Sequence, residues 1–286
     1  MSFSASFSRP TLLGLGAILL WGLLAVLTTA TEGIPPFQVT AMTFAIGGLA
    51  GLAIVATRGQ LALLQQPPQA WALGIYGLFV YHAAYFSALK LAPPEEASML
   101  NYLWLLLIVV FSAFLPGEKL AMRHIGGALL GLAGVAVLAL GRGSLDFSSS
   151  YLAGYALALA SAIIWSSYSV LSRRQSNVPT EAVAGFCLAT AALAGIAHLL
   201  FETTVMPASL KAWGAIVLLG LGPVGAAFFL WDVGMKRGDI RFLGVASYAT
   251  PIISTVALVL AGAAKPTPAL GLACLLIVGG ALVTRR

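Results

Sequence analysis

Charge is what this sequence has least of. Only 8% of its 286 residues are Asp, Glu, Lys or Arg, against about 25% in soluble globular proteins, so a water-facing surface cannot be covered and a water-soluble fold is excluded. Cysteine is nearly as scarce. Cys187 and Cys274 each lie inside an apolar run without a CxxC or Cys/His neighbour, which removes disulfides and thiolate metal sites and leaves them as small core residues. HExxH and GxSxG motifs are absent, and His82 has no acidic residue on its own apolar segment to orient it. An enzyme built on a nucleophile–base pair or a metal is therefore not expected, and no metal or cofactor is implied.

What the chain has in quantity is apolar length. Hydrophobic residues make up 60% of it, and stretches of about 17–25 residues, enough to cross a hydrocarbon core, recur from Thr11 onward. Cutting at Pro, Gly and charge clusters gives spans near 11–30, 37–57, 70–91, 96–115 and 124–141, then 151–171, 181–201, 211–235, 243–262 and 268–284. The expected fold is all-α and membrane-integral, with ten transmembrane helices. Arg9 before an apolar run with small residues near Ala30 resembles a signal peptide. The run is long for that, and it has a counterpart in the second half, so it reads as a retained helix.

A net charge of +6 in a soluble protein would suggest nucleic acid, but here the basic residues occupy short connections between apolar segments. Topology explains them better. With the N-terminus in the cytoplasm, that side collects Arg9, Arg58, Lys119, Arg123, Arg173, Arg174, Lys236, Arg237, Arg241, Arg285 and Arg286, while Lys90, Arg142, Lys211 and Lys265 fall opposite. The bias satisfies the positive-inside rule with both termini cytoplasmic, and losing one span would scramble it.

The second half repeats the first. Shifted by about 144–146 residues, Trp21 falls on Trp165, Gly74 on Gly220, Tyr102 on Tyr248 and Lys119 on Lys265. Tyr85–Lys90 falls on Trp231–Lys236, and Gly126 and Gly134 fall on Gly271 and Gly279. Five spans per half place the second copy upside down relative to the first. The expected organisation is a first repeat 1–141, a connecting loop 142–150 and an inverted repeat 151–286. In such proteins the substrate site lies near the midplane between the repeats.

Polar side chains at midspan are expensive in lipid and so should face a protein interior or a water-filled path. Tyr81, His82 and Tyr85 sit near the middle of the third span, with Tyr81 and Tyr85 one turn apart. Asn101, Tyr102 and Trp104 lie on the fourth span. Ser161, Trp165, Tyr168 and Ser169 lie on the sixth, and Tyr248, the counterpart of Tyr102, on the ninth. Rings with scattered hydrogen-bonding groups suit a substrate that has an apolar body and polar ends, such as an amino acid. His82 is the one midspan group suited to physiological proton exchange, and packing is its alternative role. Tyr76, Trp71 and Trp213 read as interfacial belt or filler. His124 and His198 read as span-end residues, and Asp232 as a local partner of Lys236.

The small residues suggest the mechanics. Gly47 with Gly51 and Gly127 with Gly131 allow close helix approach. Gly220, Gly222, Pro223 and Gly225 are expected to interrupt the eighth span, and Pro251 the ninth.

Ten spans in two halves, Trp21-Gly22 late in the first span with its partner Trp165, and Gly-spaced fifth and tenth spans resemble the drug/metabolite transporter superfamily, specifically EamA-type carriers. Tyr81-His82-Ala83-Ala84-Tyr85 and Asn101-Tyr102-Leu103-Trp104 are similar to the pattern of YddG-type exporters of aromatic amino acids. The resemblance implies a basket-like bundle whose cavity is lined by Tyr81, His82, Tyr85, Tyr102, Trp104 and Trp165. The expectation is a secondary transporter of the bacterial inner membrane that exports aromatic and other neutral amino acids by alternating access. Its partners are the substrate and the bilayer, with no nucleic acid, and a monomer already contains both halves. The alternative is export of other amphipathic metabolites or cationic drugs. No midspan Lys or Arg is present for phosphate, and no acid on the first span for carboxylate-driven drug antiport.

Overall fold

The computed structural model describes residues 8–117, 120–141, 147–262 and 265–285. Lys119, Arg142 and Arg286 of the charge count, the Lys119–Lys265 coincidence and residues 142–146 of the connection lie outside the described residues. Among the described residues there is no strand. Nine helical stretches are long and apolar enough to cross a bilayer: α1 Arg9–Thr31, α2 Pro36–Thr57, α3 Pro68–Leu91, α4 Pro94–Ser112, α5 Met122–Leu140, α6 Ser149–Arg174, α7 Ala182–Phe201, α8 Leu210–Arg237 and α9 Ile240–Leu260. A shorter apolar helix, α10 Pro268–Thr284, follows.

The starts follow from the residues there. Pro36, Pro68, Pro94 and Pro268 open their helices where an amide would be unpaired anyway. Ser8, Ser209 and Asp239 cap α1, α8 and α9 by accepting the amides of Thr11, Ala212 and Phe242.

Glycines set the helix pairs, and the pairs run antiparallel. Along α5 and α10, Gly127 faces Gly280 and Thr284, Gly134 faces Ile277, and Gly141 faces Ala269. On α2 and α7, Gly48 meets Leu188 and Gly51 meets Ala184, while the Phe37 amide reaches Glu202. On α1 and α8, Gly14 meets Gly234 and Trp21 reaches Pro223. On α3 and α6, Gly77 meets Tyr168 and Leu91 meets Gly154, while Tyr76 bonds Ser167. Each pair joins one half of the chain to the other.

Breaks within helices recur at one spacing. A π segment, Tyr76–Val80, interrupts α3, and another, Gly222–Ala226, interrupts α8, with first residues 146 apart. The Gly-Pro cluster announces the second. The first has no proline, and only the repeat would have located it. The helix of α4 breaks at Tyr102 and that of α9 at Ser247 and Tyr248, again at the matched position. Pro251 was expected to interrupt α9, but helix resumes at Ala249, so its missing N–H falls in a first turn and costs no hydrogen bond.

The residues expected at span ends, in the belt or as filler divide by their surroundings. Tyr76 and Trp71 lie between helices, with Tyr76 bonded to Ser167 at 3.0 Å and Trp71 set edge-on to Phe186. Trp213 is 40% exposed, as a belt residue would be. His124 and His198 sit near span ends but are buried. Nδ1 of His124 accepts the Ala121 amide at 3.0 Å, and His198 lies against Glu202 and Thr204 at 3.0 and 2.9 Å.

A Cβ at Gly47 would lie 2.7 Å from the Gly220 carbonyl oxygen and 2.8 Å from the Gly225 Cα. Both are backbone atoms that cannot rotate away. Gly47→Ala is expected to destabilise the protein by about 1–3 kcal/mol, read as a lower unfolding midpoint in detergent. Gly126→Ala, with nothing within 4 Å, isolates the opposing gain of about 1 kcal/mol in helix propensity.

Candidate functional site

Four tryptophans from four helices meet at the centre. Trp21 of α1 lies 5.0 Å from Trp231 of α8 and 5.6 Å from Trp165 of α6. Trp104 of α4 lies 6.2 Å from both Trp165 and Trp231. Most contacts are edge-to-face, the arrangement that ring quadrupoles favour. Phe228 packs on Trp21 and Trp165, and Phe44 stacks on Phe228 at 5.4 Å.

Local irregularity supplies the partner of one indole N–H group. In the π register of α8 the Ala227 amide bonds Gly222, so the Pro223 carbonyl is released from its usual partner four residues on. Trp21 Nε1 donates to that carbonyl at 3.0 Å. Trp231 Nε1 donates to Ser169 Oγ at 3.1 Å. The plug is dense and buried, and two of its four indoles are fixed by these bonds.

A polar wall adjoins it. Tyr81 packs on Trp165 at 5.2 Å and stacks on Tyr85 at 6.1 Å and 12°, as their spacing of one turn dictates. Asn101 Nδ2 donates to the Tyr81 hydroxyl at 3.3 Å, and its Oδ1 accepts from Ser161 at 2.8 Å. Ser161 also lies 2.7 Å from the Ala158 carbonyl, so its one proton is shared between two acceptors. Because the Tyr81 oxygen accepts from Asn101, its own proton remains available. Tyr85 and Ser98 hydroxyls pair at 2.9 Å.

His82 belongs to both regions. Its Nδ1 lies 2.6 Å from the Leu78 carbonyl, and a carbonyl can only accept, so Nδ1 carries the proton and Nε2 is the remaining nitrogen in the neutral ring. Phe44, Tyr81 and Phe86 surround it at 5.1, 5.0 and 5.7 Å. No acidic group is in its hydrogen-bond or ring contacts among the described residues.

Beside this wall lies a cavity of about 250 Å³ among α1, α4, α5 and α9, lined by Ser98, Tyr102, Glu95, Pro251 and Ser254 among others. Along α4 the order from Pro94 is Ser98, Asn101 and Tyr102, which meet the cavity or the polar wall, then Trp104, which belongs to the plug. The cavity therefore sits at the Pro94 end of the bundle, and the tryptophans fill the region beyond it.

The structure brings together six of the sequence-predicted residues: Tyr81, His82, Tyr85, Asn101, Trp104 and Trp165. Tyr102 lines the cavity. Tyr248 stands apart. It is fully buried, and its ring fills the space left by Gly131. Sequence reasoning missed Phe44, Ser98 and Phe228, and used Trp21 and Trp231 only as landmarks of the repeat. The repeat carried the signal, since Trp231 is the counterpart of Tyr85 and Phe228 that of His82.

A model of the EamA-like transporter family matches residues 9–140 and again 152–286. The aromatic amino acid exporter YddG of Ancylobacter novellus is 58% identical over 280 residues, covering 97% of this chain and 97% of that protein. The protein of the same name from Escherichia coli is 28% identical over 298 residues, covering 97% and 98%. The pseudopaline exporter CntI of Pseudomonas aeruginosa is 28% identical over 208 residues, covering 72% and 71%. A solved crystal structure with 58% sequence identity matches with a TM-score of 0.94, covering 97% of this chain and 96% of that one.

Proposed function

This chain belongs to the EamA-like transporter family, and from that premise we propose that it exports aromatic and other neutral amino acids across the bacterial inner membrane by alternating access. The observation that carries the reading is the polar wall beside the tryptophan plug. An amino acid has a flat or apolar body and a charged head. Trp165, Tyr81 and Tyr85 offer ring faces for the body. The free Tyr81 proton, oriented by Asn101, offers a donor for the carboxylate.

The named exporters from Ancylobacter novellus and Escherichia coli supply the substrate class. We read Tyr81, His82, Tyr85, Asn101, Tyr102, Trp104 and Trp165 as the binding site. Tyr248 we read as an indirect contributor that holds the break in α9. His82, without an acidic neighbour, serves as a ring and hydrogen-bonding group in the cavity wall.

We read α10 as the tenth span and the halves 1–141 and 151–286 as inverted repeats joined through 142–150. Support comes from the antiparallel pairing of α1 with α8, α2 with α7, α3 with α6 and α5 with α10. With five spans per half, counterparts such as α2 and α7 or α5 and α10 must run oppositely, and the α1–α8 and α3–α6 pairs exchange with each other under the repeat. The basic residues then place both termini in the cytoplasm, and the cavity at the Pro94 end faces outward. One chain contains the whole pathway.

Tyr81→Phe removes one hydroxyl and leaves the ring. Efflux of radiolabelled phenylalanine from proteoliposomes is expected to fall about tenfold, the worth of one charge-assisted hydrogen bond. Unchanged flux would remove Tyr81 from the site. Competition by phenylalanine, tryptophan and threonine tests the substrate class, and flux of a cationic dye with no amino-acid flux would replace it with the drug-export reading.

A further inference from the structure

We propose that a phospholipid with a primary-ammonium headgroup, phosphatidylethanolamine, binds in a groove between α2 and α8 on the membrane-facing side of the protein. The groove has a volume of about 450 Å³, and its walls are apolar along their length: Gly47, Ala50, Gly51 and Ile54 from α2, with Leu221 and Phe229 from α8. Gly47 and Gly51 form its floor, where α2 comes into direct contact with Gly220, Gly225 and Phe229 of α8. Ile54, Leu221 and Ala226 along it are exposed in the protein alone, and Ala50 is half-buried. In a bilayer, they face acyl chains.

The polar groups are gathered at one end, where Arg58, Thr180 and Glu181 close the groove. The Thr180 hydroxyl is engaged, donating to Asp232 at 2.7 Å. Arg58 and Glu181 are not. Among the described residues neither side chain enters an ion pair or hydrogen bond, and the Glu181 carboxylate caps none of the amides of α7. A cation and a carboxylate left unpaired at the mouth of an apolar groove match a headgroup that carries an anion and a cation. The phosphate of phosphatidylethanolamine meets Arg58 and its ammonium donates to Glu181.

Length agrees with charge. From Arg58 to Gly47 is eleven residues of helix, about 16 Å at 1.5 Å per residue, and one leaflet of the hydrocarbon core is about 15 Å deep. An acyl chain laid from headgroup to midplane spans the groove and ends where Gly47 meets the π segment of α8. An amino-acid substrate has no apolar body of that length. A phosphatidylglycerol would leave Glu181 facing an anion, and the trimethylammonium of phosphatidylcholine cannot donate a hydrogen bond. The site does not depend on which leaflet Arg58 faces, which in the topology above is the cytoplasmic one.

Native mass spectrometry of the full-length protein in detergent, titrated with each of the three lipids bearing identical acyl chains, tests this. Phosphatidylethanolamine is expected to bind at about fivefold lower concentration than the other two, in line with one headgroup charge contact. Arg58→Gln is expected to weaken its binding about fivefold, and Glu181→Gln to abolish its advantage over phosphatidylglycerol. Ala50→Trp, which fills the groove from its α2 wall, is expected to reduce binding of all three. Equal binding of the three lipids, a preference that survives Glu181→Gln, or phosphatidylethanolamine binding left unchanged by Arg58→Gln overturns the proposal. A failed transport assay does not bear on it.

Discussion

Replacing Lys236 with methionine is expected to cost about 3–5 kcal/mol, the largest single loss of stability predicted for this protein. Lys236 and Asp232 lie one turn apart on α8, with side chains 5% and 4% exposed, and approach to 2.8 Å. Lys236 Nζ also donates to the Val178 carbonyl at 2.9 Å, and Thr180 donates to Asp232. The pair therefore ties the end of α8 to the segment that leads into α7. Methionine keeps the length and apolar stem but leaves the Asp232 carboxylate buried without its cation, and that uncompensated charge is what destabilises. The double variant Asp232→Asn, Lys236→Met removes both charges and is expected to recover most of the loss. Unfolding in detergent, followed by tryptophan fluorescence, should place the single variant well below the double. Equal midpoints would mean that the pair is solvated and contributes little.

That pair was legible in the sequence because an i, i+4 spacing is local. The spans were legible for a related reason: length and apolarity are properties of contiguous residues. The repeat was visible too, and it carried more than it was used for, since the π segment at Tyr76–Val80 and the break at Tyr102 have their counterparts 146 residues on. What a linear reading missed was convergence. Trp21, Trp104, Trp165 and Trp231 are far apart in the chain and meet only because antiparallel helix pairs bring them to one level. Phe44 and Phe228 looked like ordinary apolar residues, because nothing near either one in sequence marks it as part of a ring stack. Tyr248 illustrates the reverse error. Symmetry with Tyr102 suggested a shared role, but Gly131 opens a space that draws the Tyr248 ring into the α5–α9 interface, while Tyr102 stays at the cavity.

Asn101→Leu is expected to lower phenylalanine efflux by about thirtyfold or more, a larger effect than Tyr81→Phe. The reason is the position of the amide in a chain of hydrogen bonds. Asn101 is buried, with only 5% of its surface exposed, and its two ends are spent on Tyr81 at 3.3 Å and Ser161 at 2.8 Å. Leucine has a similar volume and neither function, so the Tyr81 hydroxyl loses the donor that orients it. The Ser161 proton reverts to the Ala158 carbonyl at 2.7 Å, which keeps α6 satisfied and confines the damage to the site. An unpaired buried polar group costs about 1–3 kcal/mol, and an equivalent loss in the transporting complex is about five- to 150-fold. Ser161→Ala, which removes only the outer link, should give a smaller fall. Combined with Asn101→Leu it should add little, since both act through the same amide. Efflux measured alongside size-exclusion profiles separates this from misfolding. If the two substitutions instead multiply, or if Asn101→Leu lowers efflux as much in the Tyr81→Phe background as in the parent protein, then Asn101 does not act through Tyr81 and the polar wall is not the substrate's head-group site.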